Sequence, residues 1–397
     1  MIPKGWIATR LSKIADVTSG GTPSRAKAEY WCGHIPWVTT SEIHNGLITD
    51  TVEKITENGL VNSSAKLFPV GTILMAMYGQ GATRGKVARL GIEASTNQAC
   101  AAILPKPSVC GEYLFQNMLS RYEEIRNLAN DGSQKNLSGG LIKKIPILQP
   151  PLAEQRRIAE ILSTWDRAIA TTEKLIANSE AQKKALMQRL LTGKKRVPGF
   201  SGAWEHHAFG RFAHTVRNKV DPRSLRDDVP GIELEHIEAE SGRLLGTCQA
   251  NAQVSLKTPF TRKNVLYGKL RPYLRKFFKP DFDGVCSTEI WALAAKPDLC
   301  TPEFLHLLVQ SPTFAGAVDV SSGSKMPRAD WGIVAVTIFA IPSVKEQTAI
   351  AGILRDADRA IEVHESQLTA LRQEKSALMQ QLLTGKRRVK LPEKVHA

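Results

Sequence analysis

Two segments of the chain combine residue types that contact nucleic-acid backbones and bases. Residues 78–86 hold three glycines among polar and basic side chains, and residues 269–279 hold five cations, no acid and interleaved aromatics. Glycines allow a backbone to approach a ligand closely, while amide, guanidinium and ammonium groups bond base edges or phosphates. We predict that both segments contact DNA; a solvated basic turn is the alternative. The candidate residues are Tyr78, Gln80, Thr83, Arg84, Lys86, Lys269, Arg271, Tyr273 and Arg275.

A second pair of polar turns has similar chemistry. Residues 131–136 and 322–328 carry hydroxyl, amide and basic side chains on glycine-containing turns, which suits phosphate positioning or groove readout. A generic polar turn is the alternative. We add Thr39 and Thr40, which alternatively lie at an ordinary strand end, as does the segment 233–236. The candidate residues of the two turns are Ser133, Gln134, Lys135, Ser324, Lys325 and Arg328.

The elements around these segments predict an α/β fold in each half of the chain. Apolar runs at 71–78 and 264–270 are typical of strands and lead directly into the first pair of segments. Residues 112–128 and 302–318 have the apolar faces of helices, and each of these predicted helices precedes one of the polar turns. Short apolar strands ending in proline follow at 145–150 and 338–342.

The two halves are copies of one pattern. The Leu-Leu-Thr-Gly-Lys motif at 190–194 returns at 382–386, a shift of 192 positions (382 minus 190), and Glu154-Gln155 returns as Glu346-Gln347. Upstream, Trp6 and Ala15 correspond to Trp204 and Ala213 at a shift of 198. Each half is therefore a variable domain followed by a nearly constant segment, which predicts a pseudo-two-fold repeat.

The constant segments have the period of a coiled coil. Apolar residues recur at alternating steps of four and three, the 3.5-residue repeat of a left-handed coiled coil. Each helix, of about 38 residues, would be about 57 Å long, and the matching seams predict antiparallel pairing between the two variable domains. The boundaries are 1–150, 151–197, 198–341 and 342–397 for domain, helix, domain, and helix with basic tail. The predicted seam residues are Ile158, Leu162, Trp165, Ile169, Leu186, Leu190, Ile350, Leu354, Ile361, Leu378 and Leu382.

Composition narrows the class of protein. The chain has 397 residues with 53 Lys and Arg against 38 Asp and Glu, a net charge of +15 that favours a polyanionic partner. Six scattered cysteines form no C-x-x-C pair, which disfavours a structural zinc site. No apolar run is long enough for a membrane span, and the first residues lack a signal-peptide pattern. We expect a reduced, cytoplasmic protein without a membrane partner.

Signatures of catalysis are missing from the sequence. No phosphate-binding G-x-x-x-x-G-K-[ST] loop is present, because Gln188 stands where its first glycine would be. The [DNS]-P-P-[YF] tetrapeptide of amino-methyltransferases is also absent. A nuclease-like interpretation of Asp281 and Glu289 fails because Trp291 replaces the required lysine. We therefore expect no catalytic site and no cofactor in this chain.

In order and in duplicate, these motifs resemble type I restriction–modification specificity subunits over essentially the whole chain. The markers are Pro-Lys-Gly-Trp at 3–6, Gly-Ser-Gln-Lys-Asn-Leu at 132–137, Pro-Pro-Leu-Ala-Glu-Gln at 150–155 and the Leu-Leu-Thr-Gly-Lys motif. The second half repeats them at 323–328, 341–342, 346–347 and 382–386. One departure is Met326-Pro327, where the first half has Asn136-Leu137, so individual contacts do not transfer between the halves.

The resemblance implies two target-recognition domains joined by conserved helices, each domain reading one half of an asymmetric, bipartite site in double-stranded DNA. Two modification subunits using S-adenosylmethionine would dock on the helices, and restriction subunits using ATP and Mg²⁺ would join them. Such complexes methylate adenine or cleave DNA. A coiled-coil adaptor, a stand-alone DNA-binding regulator and a self-contained DNA-modifying enzyme are the competing interpretations.

Overall fold

The computed structural model describes residues 2–79, 82–128, 136–320 and 326–391. These residues divide into two compact units, one formed by residues 1–173 with 366–397 and the other by residues 174–365. Each long helix is thereby shared between the units. The predicted domain boundaries, which assign each helix to a segment of its own, stay a prediction.

Unit 1 begins with ten strands and five short helices, followed by a 40-residue helix. Its strands are β1 (Ile7–Arg10), β2 (Ala15–Ser19), β3 (Trp31–Val38), β4 (Leu47–Ile48), β5 (Glu53–Ile55), β6 (Ile73–Ala76), β7 (Val87–Leu90), β8 (Ser95–Thr96), β9 (Cys100–Pro105) and β10 (Pro146–Gln149). Its helices are α1 (Leu11–Ile14), α2 (Glu57–Val61), α3 (Gly111–Ser120), α4 (Tyr122–Asn127), α5 (Gly139–Lys144) and the first part of α6 (Leu152–Leu191).

Unit 2 repeats this order of elements, except that its described residues form no α-helix at the place of α2. Its strands are β11 (Glu205–Ala208), β12 (Ala213–Thr215), β13 (Pro230–Ile232), β14 (Cys248–Gln249), β15 (Lys257–Phe260), β16 (Asn264–Gly268), β17 (Phe277–Phe278), β18 (Gly284–Ser287), β19 (Ile290–Ala295) and β20 (Ile338–Ile341). Its helices are α7 (Phe209–Phe212), α8 (Pro302–Leu308), α9 (Pro312–Asp319), α10 (Trp331–Val336) and the first part of α11 (Val344–Leu382).

Three sheets form each unit. In unit 1 their strand orders are β2-β9-β6-β7-β4, β5-β3-β8 and β1-β10, and in unit 2 they are β12-β19-β16-β17, β14-β13-β18-β15 and β11-β20. The strand before each long helix pairs antiparallel with the first strand of its own unit, β10 with β1 and β20 with β11. The predicted α/β class is confirmed, and the start of each long helix is tied to its own unit.

Each helix that was predicted to precede a polar turn is divided into two helices in the structure. The segment predicted at 302–318 breaks because Ser311 caps α9 through the N–H of Phe314, and Pro312 begins a new helix. In the other half, Arg121 leaves helical geometry with φ −111° and ψ 23°, and so separates α3 from α4. The strand predicted to reach residue 270 ends at Gly268.

The long helices have the predicted seams. Every predicted seam residue is buried or half-buried, and Ile158, Leu162, Ile350 and Leu354 are almost fully buried. In unit 1, Lys375 of α11 binds Asp166 of α6 with 2.5 Å between Nζ and Oδ1, while in unit 2 the equivalent Lys183 binds Asp358. Within each unit α6 and α11 run antiparallel, because residues of increasing number on one helix contact residues of decreasing number on the other. Within the described residues no helix is long and apolar enough to cross a membrane.

Candidate nucleic-acid interface

Residues that flank the two predicted segments of unit 1 are hydrogen-bonded to one another beyond the end of β6. We call residues 77–79 and 82–86 loop A of unit 1, and residues 136–137 its loop B. The N–H of Leu137 donates to the carbonyl of Met77 over 2.9 Å, and the N–H of Met77 donates to Ala99 over 2.9 Å. Residues far apart in the sequence, from three loops, are therefore fixed at one place.

Unit 2 has the same arrangement beyond β16. Here loop A is residues 269–276 and loop B is residues 326–329. The N–H of Ala329 donates to Lys269 over 2.8 Å, the N–H of Lys269 donates to Glu289 over 2.9 Å, and the N–H of Arg271 donates to Pro327 over 2.8 Å. The two candidate segments are thus brought together in both units by equivalent backbone hydrogen bonds.

Loop A of unit 1 turns back against α4. The hydroxyl of Tyr122 donates to the carbonyl of Ala82 over 2.6 Å. Gly85 has φ +84°, and a Cβ there would lie 3.3 Å from the backbone of Arg126, so both its conformation and its close approach favour glycine. Of the candidates, Tyr78 is exposed, while Thr83, Arg84 and Lys86 are half-buried.

Loop A of unit 2 is held by its own arginines. Arg271 and Arg275 both have left-handed backbones, with φ 51° and 49°, on either side of a 3₁₀ turn that leaves Tyr273 exposed. Arg275 binds the Asp319 carboxylate of α9, with 3.0 Å between Nη1 and Oδ1. Burial opposes the charge on Arg275, but its hydrogen bond to Asp319 and its interaction with Tyr267 outweigh burial and raise the pKa of Arg275. Arg275 therefore has a structural partner in this unit.

The remaining cations of this loop differ in surroundings. Lys269 is half-buried and Arg271 is exposed, and no ion pair engages either side chain within the described residues. Arg328, from loop B, binds Glu289 through both carboxylate oxygens, and this hydrogen bonding raises the pKa of Arg328. The candidates Gln80, Ser133, Gln134, Lys135, Ser324 and Lys325 lie outside the described residues.

Thr39 and Thr40 lie at a 3₁₀ turn after β3. Thr39 caps this turn, because its backbone N–H and its hydroxyl both donate to the Glu42 carboxylate over 2.8 Å. In unit 2, Glu233 caps the equivalent turn, where its N–H donates to Nδ1 of His236 over 3.0 Å. The Thr39 hydroxyl is therefore occupied by capping, and Thr40 is half-buried on the same turn.

A cluster of three side chains at the start of each long helix was not predicted from the sequence. In unit 1, Glu154 accepts hydrogen bonds from Nε and Nη2 of Arg388 over 2.6 and 2.7 Å and from the indole of Trp6 over 3.0 Å. In unit 2, Glu346 accepts from Arg196 over 2.7 and 2.8 Å and from Trp204 over 3.2 Å. We call these the Trp–Glu–Arg clusters. Each carboxylate raises the pKa of its arginine through the hydrogen bond.

The adjacent glutamines fix the same helix starts. Gln155 accepts from the N–H of Cys110 and donates to the carbonyl of Pro150, each over 2.8 Å. Gln347 accepts from Thr301 over 2.9 Å and donates to Leu299 and Pro342 over 2.8 and 2.9 Å. The repeated Glu-Gln dipeptide was the signal for these contacts, since buried polar groups at matching places need matching partners.

The chain is similar to known proteins of one class. Residues 3–180 match the family model described as type I restriction modification DNA specificity domain. The MjaIX specificity subunit of Methanocaldococcus jannaschii is 33% identical over 44% of this chain and 40% of its own length. The MjaVIII specificity subunit of the same organism is 22% identical over 98% of this chain and 94% of its own length. The chain thus spans about two fifths of the length of the first of these relatives.

Solved structures have the same fold. The S subunit of a type I restriction-modification system from M. genitalium superimposes with a TM-score of 0.59, at 14% identity, over 96% of each chain. A chain from a structural study of complex assembly in the type I R-M system gives a TM-score of 0.60, at 16% identity, over 98% of this chain and all of that one. The chain is thus similar to type I restriction–modification specificity subunits, through residues 3–180 in the family model and through relatives that align with up to 98% of its length.

Proposed function

We propose that this chain is the DNA-reading subunit of a type I restriction–modification complex. Each unit would read one half of a bipartite, asymmetric site in double-stranded DNA. The observation that carries the proposal is the pair of interlocked loops, present at equivalent places in both units and built from different side chains. Equivalent positions suit one common docking geometry, and different side chains suit two different half-sites.

The charge of the loops supports contact with the phosphate backbone. Lys86 in unit 1 and Lys269 and Arg271 in unit 2 lie on or beside the interlocked loops of a chain with net charge +15. Each cation that neutralises a phosphate releases a condensed counterion, so binding should weaken as salt rises. Arg271 is the most accessible of the three, which makes it the first residue to test.

The chemistry of the complex would reside in partner subunits. We assign methyl transfer from S-adenosylmethionine to two modification subunits, and ATP- and Mg²⁺-dependent cleavage to restriction subunits, while this chain supplies recognition without a catalytic site or cofactor of its own. We place the complex in the cytoplasm, where it would meet unmodified DNA.

The test is co-expression of the chain with a modification subunit, followed by long-read mapping of N6-methyladenine in the host DNA. We expect a bipartite motif with a fixed spacer that is absent when the modification subunit is expressed alone. A stable complex that adds no motif would favour a coiled-coil adaptor. Sequence-specific binding by the purified chain without a partner would favour a stand-alone regulator.

Single substitutions test the loops directly. Arg271→Ala should weaken duplex binding by the complex at all sequences and lower the slope of log K against log salt by about 1. Arg223→Ala is the matched control, because Arg223 is an exposed arginine of unit 2 that lies elsewhere and pairs with Asp221. If Arg271→Ala and Arg84→Ala both left methylation and its salt dependence intact, the assignment of these two residues would be wrong.

A further inference from the structure

Glu289 and Arg328 form an ion pair at the surface where loops A and B of unit 2 meet. We propose that Glu289 is a positioning residue that holds Arg328 for recognition of one guanine in a half-site. This inference rests on the proposed function, which it deepens by naming a base and the residue that reads it. Neither the repeat nor the resemblance to the family assigns a role to Glu289.

The geometry of the ion pair leaves the outer edge of the guanidinium available. Nε of Arg328 donates to Oε2 of Glu289 over 3.0 Å, and Nη2 donates to Oε1 over 3.2 Å. A guanidinium has five N–H donors in a fixed planar fork, and Glu289 engages two of them. The edge formed by Nη1 and Nη2 has the spacing that matches O6 and N7 of guanine, the commonest specific contact in the major groove.

Exposure agrees with this orientation. The side chain of Arg328 is 50% exposed and that of Glu289 is 29% exposed, so the carboxylate lies on the inner side of the pair. A base edge could therefore reach the arginine without displacing Glu289.

The backbone holds both residues in place. Arg328 bridges to Leu270 of loop A as a β-bridge partner, and the flanking Arg271–Pro327 and Ala329–Lys269 hydrogen bonds are each 2.8 Å. The carbonyl of Glu289 accepts from Lys269 over 2.9 Å. Three segments are thus connected around one side-chain pair. Such preorganisation lowers the conformational entropy lost when a base is bound.

The charges favour a base over a phosphate as the ligand of Arg328. A phosphate approaching this arginine would also approach the Glu289 carboxylate, and the repulsion between the two anions would reduce the attraction. Guanine is neutral and presents two acceptors, so its recognition depends mainly on the direction of the donors. Lys269 and Arg271, which lie beside the pair, are better placed to meet phosphates.

Unit 1 has no such pair at the equivalent place. The N–H of Leu137 bonds Met77 as the N–H of Ala329 bonds Lys269, so Asn136 corresponds to Arg328. The structure thus corrects the sequence alignment, which set Asn136 against Met326. By the same bonds Ala99 corresponds to Glu289. Both residues of unit 1 are neutral. We therefore expect the guanine contact to belong to unit 2 and to affect one half-site only.

The test uses the full chain in its complex with the modification subunit, and measures methylation across a library of sites in which each position is varied. Arg328→Ala and Glu289→Gln should each relax the preference for guanine at one and the same position of one half-site, by about 10- to 100-fold. The double variant should relax it no further than Arg328→Ala alone, because Glu289 acts through Arg328. Arg223→Ala should leave every position unchanged.

The other possible outcomes would contradict either this inference or the proposed function. A uniform loss at all positions would identify a phosphate contact and overturn the proposal, as would two variants that relax different positions or none. Glu289→Gln is isosteric, and unchanged preference in the other half-site would show that the variant is folded. If the wild-type complex methylates a bipartite site that neither variant alters, this inference alone fails; if it methylates none, the proposed function fails with it.

Discussion

The two units share the same arrangement of long helices and adjoining strands but differ in one sheet. This sheet is β5-β3-β8 in unit 1 and β14-β13-β18-β15 in unit 2. In unit 1 the sheet β5-β3-β8 carries Trp31 and Trp37, whose rings meet edge to face at 5.0 Å, with the Arg25 guanidinium 3.7 Å from the Trp31 ring. In unit 2 the corresponding sheet carries a buried Lys257 that binds Glu233. One unit fills this place with aromatic packing and the other with a buried ion pair.

The shared arrangement is conserved between the units down to single hydrogen bonds. Both Trp–Glu–Arg clusters and both lysine–aspartate pairs recur with the same atoms in contact. The buried glutamines share two hydrogen bonds, and Gln347 makes a third, to Leu299. The comparison teaches that the parts of the repeat which retain their sequence are those which support the long helices. The sheets and loops that present candidate DNA contacts have diverged.

The strongest test of this equivalence removes the buried carboxylates. Glu154→Ala leaves Arg388 and Trp6 without their acceptor. We expect it to lower the free energy of unfolding of unit 1 by about 2 kcal/mol, because the buried indole N–H of Trp6 is left unsatisfied while the partly exposed Arg388 can be hydrated. Glu346→Ala should do the same to unit 2. Hydrogen–deuterium exchange measured separately for each unit would report the loss.

Glu160→Ala is the control for these variants, since Glu160 is an exposed glutamate of α6 paired with Arg157. Its effect should stay below about 1 kcal/mol. Equal loss of protection in both units after either buried substitution would contradict the view that each cluster stabilises its own unit.

The stability lost when a buried glutamine is replaced should increase with the number of hydrogen bonds that the glutamine makes. Gln347 makes three and Gln155 makes two, so Gln347→Ala should cost more than Gln155→Ala, by about 1 kcal/mol. Local exchange rates at the start of α11 and α6 would measure the difference, with the exposed Gln188→Ala as control. Equal costs would indicate that lost packing, rather than unsatisfied polar groups, dominates.

Alanine substitutions at the two glycines that end the long helices should differ in cost, because the glycines have different surroundings. Gly193 and Gly385 have φ +67° and +70°, so alanine at either site should cost about 1 kcal/mol from the left-handed backbone alone. A Cβ at Gly385 would also lie 2.3 Å from Cγ of Pro3, whereas at Gly193 its nearest neighbour, on Trp204, is at 3.6 Å. Thermal unfolding should therefore show Gly385→Ala to be the more harmful.

Adding Pro3→Ala to Gly385→Ala should recover part of that difference by removing the clash. If the double variant were no more stable than Gly385→Ala, the clash with Pro3 would not be the cause.

The smallest expected effect concerns a position at which equivalent residues of the two units have opposite charges. In unit 1, Arg372 binds Glu173 across the helices over 2.7 Å, but the equivalent residues of unit 2 are Glu180 and Glu365. There Arg243 binds Glu365. Arg243→Ala should cost less than about 1 kcal/mol, and less still at high salt, because this pair is partly exposed.

Exchange measured at two salt concentrations would check the effect of Arg243→Ala. Glu365→Arg, which recreates a pair with Glu180, should make the loss of Arg243 harmless. If Arg243→Ala still reduced protection in that background, Arg243 would have a role beyond charge compensation.

The sequence predicted the parts of the fold that repeat with a short period. The seams of α6 and α11 follow from apolar residues at steps of three and four, and the α/β class follows from alternating strand and helix patterns. Both are local signals, so they can be read without knowing the tertiary structure. The prediction failed at Ser311-Pro312, where a cap and a proline divide one apolar run into two helices.

The candidate interface was only partly predictable, for a physical reason. Loop composition identified Arg271, Arg275 and Arg328 alike, but their partners lie far away in sequence. Asp319 binds Arg275 across 44 positions and Glu289 binds Arg328 across 39. Composition gives the charge of a side chain, whereas its availability depends on a fold that brings these acids beside it. The DNA-contact assignments therefore stay predictions.

The Trp–Glu–Arg cluster of unit 1 also has a consequence for biosynthesis. Arg388 reaches back across 234 positions to Glu154, whereas all three members of the cluster in unit 2 lie between residues 196 and 346. During translation, unit 2 can therefore form its cluster while the rest of α11 is still being synthesised. Unit 1 can form its cluster only after Arg388 has been synthesised. A frameshift just after codon 365 would damage the unit encoded at the other end of the reading frame.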